Sequence, residues 1–153
     1  MNIAVKISND NDDIRALQSL ENFTITSLQK YVHEHNLGLK IRSLGYNFHG
    51  VSLEEYFLGD YSESIRGTSL HYINAVIWMP RKDELNLFER LHNNGYRSRK
   101  ILVYDGSMDI TQFLKYATDV VPCLKCGEQI TDMYIKANCI ADTLKETLIK
   151  LGK

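Results

Sequence analysis

The sequence predicts an α/β fold, a three-layer sandwich in which helices cover both faces of a five-stranded parallel sheet. The main observation is that three short apolar runs, at 71–80, 100–106 and 119–125, are each followed by a segment with helical periodicity. The same order begins the chain, where an alternating run at 1–7 precedes a helical pattern. Strands that alternate with helices in this way pair in parallel. Ligands bind such sheets at the carboxyl ends of the strands, so functional residues are expected there.

Length and composition indicate a single domain. The chain has 153 residues, enough to bury a core that needs neither disulfides nor metal. Its 44% of apolar and 24% of charged residues are typical of globular proteins and not of disordered or fibrous ones. We therefore expect one α/β domain over 1–153, with an irregular insertion around 45–70.

Charge and cysteine content restrict the partners and the compartment. A net charge of −1 disfavours a broad electrostatic attraction to nucleic acid, so no direct nucleic-acid binding is expected. Three cysteines form an odd set, which fits a reducing compartment better than a secreted disulfide framework. No signal-peptide pattern begins the chain and no apolar window is long enough to span a bilayer. These features predict a cytoplasmic location without membrane contact.

The first half of the chain predicts two strands, one long helix and a short helix that begins with the capping-box spacing of 52–55. The alternating run at 1–7 forms the first strand, and Asp10 or Asp12 can cap the helix that follows. The β-branched residues at 24–26 are expected to weaken or break this helix, because they fit poorly in helices. A second strand is expected at 39–44.

The second half predicts three strand-and-helix units. Leu85, Phe88 and Leu91 line one face of the first helix, and 110–117 has the spacing of a second. A long last helix is expected at 128–151. Its predicted buried face consists of Ile130, Met133, Tyr134, Ala137, Ile140, Ala141, Leu144 and Leu148. This order of elements is that of a flavodoxin-like, doubly wound sheet.

The end of the 100–106 strand carries polar residues suited to a ligand. Asp105 could bind Mg²⁺ or a ribose hydroxyl, and the backbone amides after Gly106 could hold an anion. The alternative is structural, because the sequence from Asp105 to Ser107 is also what a turn and a helix cap require. The chain has no glycine-rich nucleotide-binding motif of the common classes. No catalytic nucleophile with an adjacent base is evident from the sequence.

A C-x-x-C pair, Cys123 and Cys126, lies between the last strand and the last helix. Such a pair can supply half of a zinc site or perform redox chemistry, and the alternative is two packed free thiols. A zinc site needs two further ligands. Cys139 is expected to lie more than three helical turns from Cys126, too far to join the same ion.

In order along the chain, several strand-end segments resemble the receiver domain of the two-component response-regulator family. Residues 7–15 resemble the acidic cluster after the family's first strand, and Trp-Met-Pro at 78–80 resembles the Met-Pro that follows its phospho-accepting aspartate. Residues 95–96 resemble the approach to strand four, and Lys125 lies where the family keeps its lysine. The resemblance is strongest from Tyr72 onward. It implies a flavodoxin-like fold and a role in signal transduction or transcription regulation.

The chain departs from this family at the residues that carry phosphorylation. Four residues before Pro80, the phospho-acceptor position is occupied by Val76, which has no group to phosphorylate. Asn9 and Asn11 flank Asp10 where the family uses paired carboxylates for Mg²⁺. The resemblance therefore implies a degenerate, phospho-acceptor-lacking receiver, or pseudo-receiver.

We expect a phosphorylation-independent, receiver-like regulatory module that acts through protein–protein contacts. Its partner would be another protein or a second copy, bound through the last two helices, and no cofactor is expected. The alternative is a small α/β enzyme that binds a small molecule or nucleotide at the strand ends, with 45–70 as a lid. The binding residues assigned on these grounds are Asp10, Trp78, Tyr104, Asp105, Ser107 and Lys125.

Overall fold

A computed structural model of the chain has a five-stranded, all-parallel sheet at its centre. The residues that the structure describes are 1–7, 14–43, 47–48, 51–52, 73–80, 84–93, 98–123 and 132–152. All structural statements below refer to them.

The strand order of this sheet is that of a doubly wound fold. The strands are β1 (Asn2–Ile7), β2 (Lys40–Ser43), β5 (Ala75–Met79), β6 (Arg99–Tyr104) and β7 (Asp119–Pro122), and they lie in the order β2-β1-β5-β6-β7. The chain therefore moves outward from β1 to β2 and then returns past β1 to β5. This order is the flavodoxin-like one, and it confirms the predicted fold class.

Two further strands lie within the predicted insertion. They are β3 (Asn47–Phe48) and β4 (Val51–Ser52), which pair with each other in an antiparallel hairpin. The rest of 45–70 lies outside the described residues.

Three α-helices and one 3₁₀ helix are described. They are α1 (Ile14–Glu34), α2 (Leu85–Asn93), the 3₁₀ helix (Phe113–Lys115) and α3 (Met133–Leu151). The expected break in α1 at 24–26 is wrong. The hydroxyl groups of Thr24 and Thr26 each donate a hydrogen bond of 2.8 Å to the carbonyl four residues earlier, so these side chains are accommodated within the helix.

Alternating side chains of the strands build a core on each face of the sheet. Ile3, Val5 and Ile7 of β1 face α1 and α3. Ala4 of the same strand faces the opposite way, into a cluster that includes Phe88 of α2. Because β1 is a central strand with both faces covered, every side chain from position 3 to 7 is buried, the charged one included.

The α-helix predicted at 110–117 is wrong, since this segment forms only one 3₁₀ turn. Asp109 accepts a hydrogen bond from the backbone N–H of Thr111, which begins the segment as a turn. Thr118 then donates its N–H to the carbonyl of Lys100 to start β7. The segment is therefore fixed at Thr111 by the turn and at Thr118 by the sheet. The few residues between these two positions include β-branched and aromatic ones with low helix propensity, so a longer helix does not form.

The last helix begins later than predicted and buries a narrower face. The side chain of Asp132 accepts a hydrogen bond from the N–H of Ile135 and caps the helix before Met133. Tyr134, predicted to be buried, is 62% exposed. It lies in the first turn, where its ring packs edge-on against Phe23 of α1 at a centroid distance of 5.4 Å.

Candidate functional site

A buried ion pair lies at the carboxyl end of β1 and β5. Lys6 is only 1% exposed, and its ammonium group is paired with the carboxylate of Glu84, directly before α2. The indole N–H of Trp78 donates to the same carboxylate at 3.3 Å. The ammonium of Lys6 also lies 5.5 Å from the centre of the Trp78 ring. We call Lys6, Trp78 and Glu84 the Lys6 cluster.

The fold makes this ion pair necessary. Lys6 occupies a position of β1 that points toward α2, and both faces of β1 are covered, so its charge cannot reach water. An unpaired buried ammonium group would cost several kcal/mol, on the order of the penalty for burying any isolated ion. Glu84 removes that penalty by bringing an opposite charge, and it thereby fixes the start of α2 against β1.

A second buried carboxylate, Glu21 of α1, lies near the same end of the sheet. It accepts a hydrogen bond of 2.9 Å from the backbone N–H of Ile7 and another from the hydroxyl of Ser43. Burial raises the pKa of Glu21, although both hydrogen bonds and the charge of Lys6 act to lower it. Glu21 thus ties α1 to the ends of β1 and β2.

These two groups of residues lie at the point where the strand order reverses. Lys6 and Trp78 are register partners on β1 and β5, the two strands on either side of that point. Doubly wound sheets bind their ligands in the crevice at this point, outside the carboxyl ends of the strands. In this protein, the described polar side chains at this point form hydrogen bonds and an ion pair within the protein. Among the described residues, no buried polar side-chain atom lacks a hydrogen-bond partner.

Trp78, one of the predicted binding residues, lies in the core. It is completely buried, and its ring meets that of Phe88 edge-on at 5.5 Å. Val76, two residues earlier, is paired with Ala4 in the sheet and is also buried. The position that the receiver resemblance assigns to phosphorylation therefore lies inside the sheet, three residues before β5 ends.

The end of β6 holds three of the predicted binding residues in a tight turn. Asp105 is buried, and its carboxylate accepts a hydrogen bond of 2.9 Å from the N–H of Ser107. Gly106 has a φ of 86°, a conformation that favours glycine. Tyr104 is half-buried, and Ser107 is exposed. In this geometry the Asp105 carboxylate organises its own loop.

Two predicted binding residues, Asp10 and Lys125, lie outside the described residues, as does Cys126. The structure therefore brings Tyr104, Asp105 and Ser107 together on one strand end and places Trp78 with Lys6.

Cys123 directly follows β7 and is disulfide-bonded. Its sulfur lies 3.2 Å from the hydroxyl oxygen of Thr143 on α3. Because α3 begins at Met133, Cys139 lies in its second turn. The predicted separation of Cys139 from Cys126 involves a residue outside the described ones. Among the described residues no group of three or more His, Cys, Asp or Glu side chains could hold a metal ion.

Large apolar side chains are exposed at the amino-terminal end of α3. Tyr134 and Ile135 are both more than half exposed, and Phe23 of α1 lies beside Tyr134. We call Phe23, Tyr134 and Ile135 the aromatic patch. Exposed apolar residues that lie next to one another are common in protein–protein interfaces.

Sequence reasoning missed Lys6, Glu21 and Glu84. Two of them carried a detectable signal: Lys6 interrupts the apolar run of a strand predicted to be central, and Glu21 lies four residues before the buried Ile25 on the apolar stripe of its helix. Charged residues in such places are buried only when they are paired. No local pattern identifies Glu84, because its partner is distant in sequence.

Comparison with protein-family models, curated proteins and solved structures finds no match to this chain. Among the described helices, none is long and apolar enough to cross a membrane.

Proposed function

We propose that this chain is a phosphorylation-independent regulatory module that acts through protein–protein contacts, as the receiver resemblance implies. The observation that supports this proposal is the Lys6 cluster. At the position where a doubly wound sheet holds its ligand, the described residues form an internal ion pair capped by an indole ring.

The side chains at this position are poorly suited to phosphoryl chemistry. A phospho-acceptor needs a carboxylate or hydroxyl group in contact with solvent, and Val76 and Trp78 are both buried apolar residues of β5. A lysine that stabilises a phosphoryl group must offer its charge to that group. The charge of Lys6 is already engaged by Glu84.

The aromatic patch is the surface that we assign to the protein contact. Tyrosine and phenylalanine are frequent anchors of interfaces, because they bury a large area at a small cost in conformational entropy. The patch joins α1 and α3, whose side chains also meet through a hydrogen bond of 3.0 Å between Ser27 and Asn138. A partner that binds there would contact two long helices packed on the same core. The sequence assigned the partner contact to the helices at 110–117 and 128–151. Because 110–117 forms only one 3₁₀ turn, we assign the contact to α1 and α3 instead.

Beryllofluoride with Mg²⁺ mimics a phosphorylated carboxylate and provides the direct test. We expect backbone amide NMR signals of the full chain to remain unchanged up to millimolar beryllofluoride. Shifts clustered at the carboxyl ends of β1, β5 and β6 would contradict the proposal. Acetyl phosphate with Mg²⁺ is the second probe, and a mass increase of one phosphoryl group would contradict it equally.

The contact surface is tested by self-association. If the partner is a second copy, Tyr134→Ser should weaken dimerisation at least tenfold in analytical ultracentrifugation, because a buried aromatic anchor contributes about 2 kcal/mol or more. Glu146→Ser, an exposed position on the same helix, is the matched control. Equal dimerisation of both variants would exclude the aromatic patch as the dimer interface.

A further inference from the structure

The two oxygens of the Glu84 carboxylate are bound by different donors. Oε2 is paired with the ammonium group of Lys6, and Oε1 accepts a hydrogen bond of 3.3 Å from the indole N–H of Trp78. A carboxylate offers two acceptor oxygens in a fixed geometry, and a cation beside an N–H donor is complementary to both. Lys6 and Trp78 therefore recognise the carboxylate group as a whole and not only its charge.

The two donors belong to the sheet, whereas the carboxylate comes from outside it. Lys6 and Trp78 are register partners on β1 and β5, and both are buried. The indole ring is further held by its edge-on contact with Phe88, at a centroid distance of 5.5 Å. Glu84 lies directly before α2 and reaches the donors with its side chain. Strand pairing thus positions the donors, and a separate segment carries the group that they bind.

We propose that Lys6 and Trp78 form a carboxylate-binding site at the point where the strand order reverses, and that Glu84 is the internal ligand that fills it. This inference goes beyond the proposed function, because it assigns a ligand class, small carboxylate anions, that a contact at the aromatic patch does not need. The two share only the Lys6 cluster. Failure of the inference would leave the beryllofluoride and dimerisation tests unaffected.

The place of the site in the sheet supports this assignment. Lys6 and Trp78 each lie one residue before the end of their strand, beside the crevice in which doubly wound sheets bind separate molecules. Because Glu84 is part of the chain, it binds without the loss of translational and rotational freedom that a free acid undergoes. Free carboxylates at millimolar concentration are therefore not expected to displace it. The site accepts them only when the Glu84 carboxylate is removed.

Substitution of Glu84 leaves a space of defined size. Glu84→Ala removes Cγ, Cδ and both carboxylate oxygens, which correspond to the heavy atoms of acetate. Glu84→Ser places an oxygen where Cγ was, so the remaining space corresponds to the heavy atoms of formate. Serine is also favoured at the start of a helix, so we expect the serine variant to be the more stable of the two.

Acetate tests the site in Glu84→Ala. We expect about 200 mM sodium acetate, in place of sodium chloride at neutral pH, to raise the folding equilibrium constant of this variant about tenfold in urea denaturation. A ligand with a dissociation constant of about 20 mM gives this gain. The unchanged chain and the double variant Lys6→Met with Glu84→Ala should show no such gain, because the first has its site filled and the second lacks the cation. Equal gains in all three chains would show a general salt effect and overturn the proposal.

The size of the acid tests the fit. Glu84→Ala should gain more from acetate than from formate, and Glu84→Ser more from formate than from acetate, because each space matches one anion. Each comparison is made within one variant, so it does not depend on how far the substitution destabilises the fold. A variant that folds only in its matching acid gives the expected result. The same order of the two acids in both variants, or failure of both to fold in their matching acids, would overturn the proposal.

The indole N–H of Trp78 reports binding at the site itself. Trp78 is the only tryptophan of the sequence, so it gives a single indole N–H signal in NMR spectra. We expect acetate to shift this signal in Glu84→Ala, with the dissociation constant obtained from stability, and to leave it in place in the unchanged chain. A gain in stability without a shift of this signal would place the acetate elsewhere and overturn the proposal.

Discussion

The two faces of the central sheet are covered differently. On one face, α1 and α3, with 21 and 19 residues, pack against an apolar core. On the other face, α2 has nine residues, and the connection from β6 to β7 contributes a single 3₁₀ turn. The described core of this second face is built largely on the rings of Trp78, Phe88 and Phe113 and is closed by the buried pair of Lys6 and Glu84.

Glu21 on the first face and Glu84 on the second are buried carboxylates near the carboxyl end of the sheet, and they are stabilised in different ways. Glu21 is bound by a backbone N–H and a hydroxyl group, which are neutral donors. Glu84 is bound by an ammonium group and an indole N–H. Replacing Glu84 removes the carboxylate that is paired with the buried Lys6 ammonium, whereas the hydrogen bonds described for Glu21 come from uncharged groups. Among the described residues, the carboxylate of the second face is therefore held by an ion pair, and that of the first face by hydrogen bonds from uncharged groups.

The largest expected effect follows from breaking the Lys6–Glu84 pair. Glu84→Ala should lower the free energy of unfolding by about 3–5 kcal/mol, because it removes the carboxylate that is paired with the buried Lys6 ammonium. Urea denaturation of the unchanged and variant chains measures the difference.

The double variant Lys6→Met with Glu84→Leu is the control for this effect. It removes both charges and keeps similar volumes, so it should recover most of the lost stability. A double variant as unstable as Glu84→Ala alone would show that the pair does not act through charge compensation.

A smaller effect is expected at the turn after β6. Asp105→Ala removes the hydrogen bond to the Ser107 N–H and should lower the free energy of unfolding by about 1 kcal/mol. Asp105→Asn keeps an acceptor oxygen and should cost less. Equal losses for the alanine and asparagine variants would show that an acceptor oxygen at this position is not what holds the turn.

Glu21 on the first face gives a dependence on pH. Burial raises its pKa above the ordinary value of 4.5, so the folded chain keeps this proton to a higher pH than the unfolded chain does. Its contribution to stability is therefore complete below about pH 4.5 and is lost as the pH rises through the folded pKa.

Glu21→Gln removes this titration and can still accept the hydrogen bond of the Ile7 N–H. We expect the stability of the glutamine variant to improve, relative to the unchanged chain, as the pH rises from 4.5 to 7. Chemical denaturation at several pH values measures it, and two parallel stability profiles would contradict the assignment.

The smallest effect is expected where the second face is least covered. Val120 of β7 points to the side of Leu102, the face on which the described helical elements are α2 and the single 3₁₀ turn, and it is 39% exposed. Val120→Thr should change the free energy of unfolding by less than about 0.5 kcal/mol, since the side chain is only partly removed from water. Val121→Thr, on the side of the same strand that packs against the core under α1 and α3, should lower the free energy of unfolding more. A larger loss for Val120→Thr than for Val121→Thr would show that the second face is not the less covered one.

Much of the fold could be predicted from local patterns. The apolar runs and the alternation of β1 identified all five strands of the main sheet, because burial on two faces requires such runs in parallel strands. The helix at 110–117 could not be predicted correctly. Its apolar spacing is helical, but the turn at Asp109 and the pairing of Thr118 with Lys100 leave room for one turn only.

The candidate site was less predictable than the fold. The sequence located it at the carboxyl ends of the strands, and the Tyr104 to Ser107 turn lies there. The sequence did not identify the residues between β1 and β5, where the strand order reverses. It predicts Trp78 as a ligand-binding residue, whereas the structure buries Trp78 with Lys6 and Glu84.

The sequence by itself determined the alternation of strands and helices, since that depends on the spacing of apolar residues within a few positions of each other. Only the tertiary structure decided which charges are neutralised inside the protein and which apolar residues remain outside. Lys6 and Glu84 are far apart along the chain and meet because β1 lies beside β5 and under α2. Tyr134 follows the pattern of a buried position, yet it lies in the first turn of α3 and is 62% exposed. Partners of this kind depend on contacts across the fold, and no local pattern encodes them.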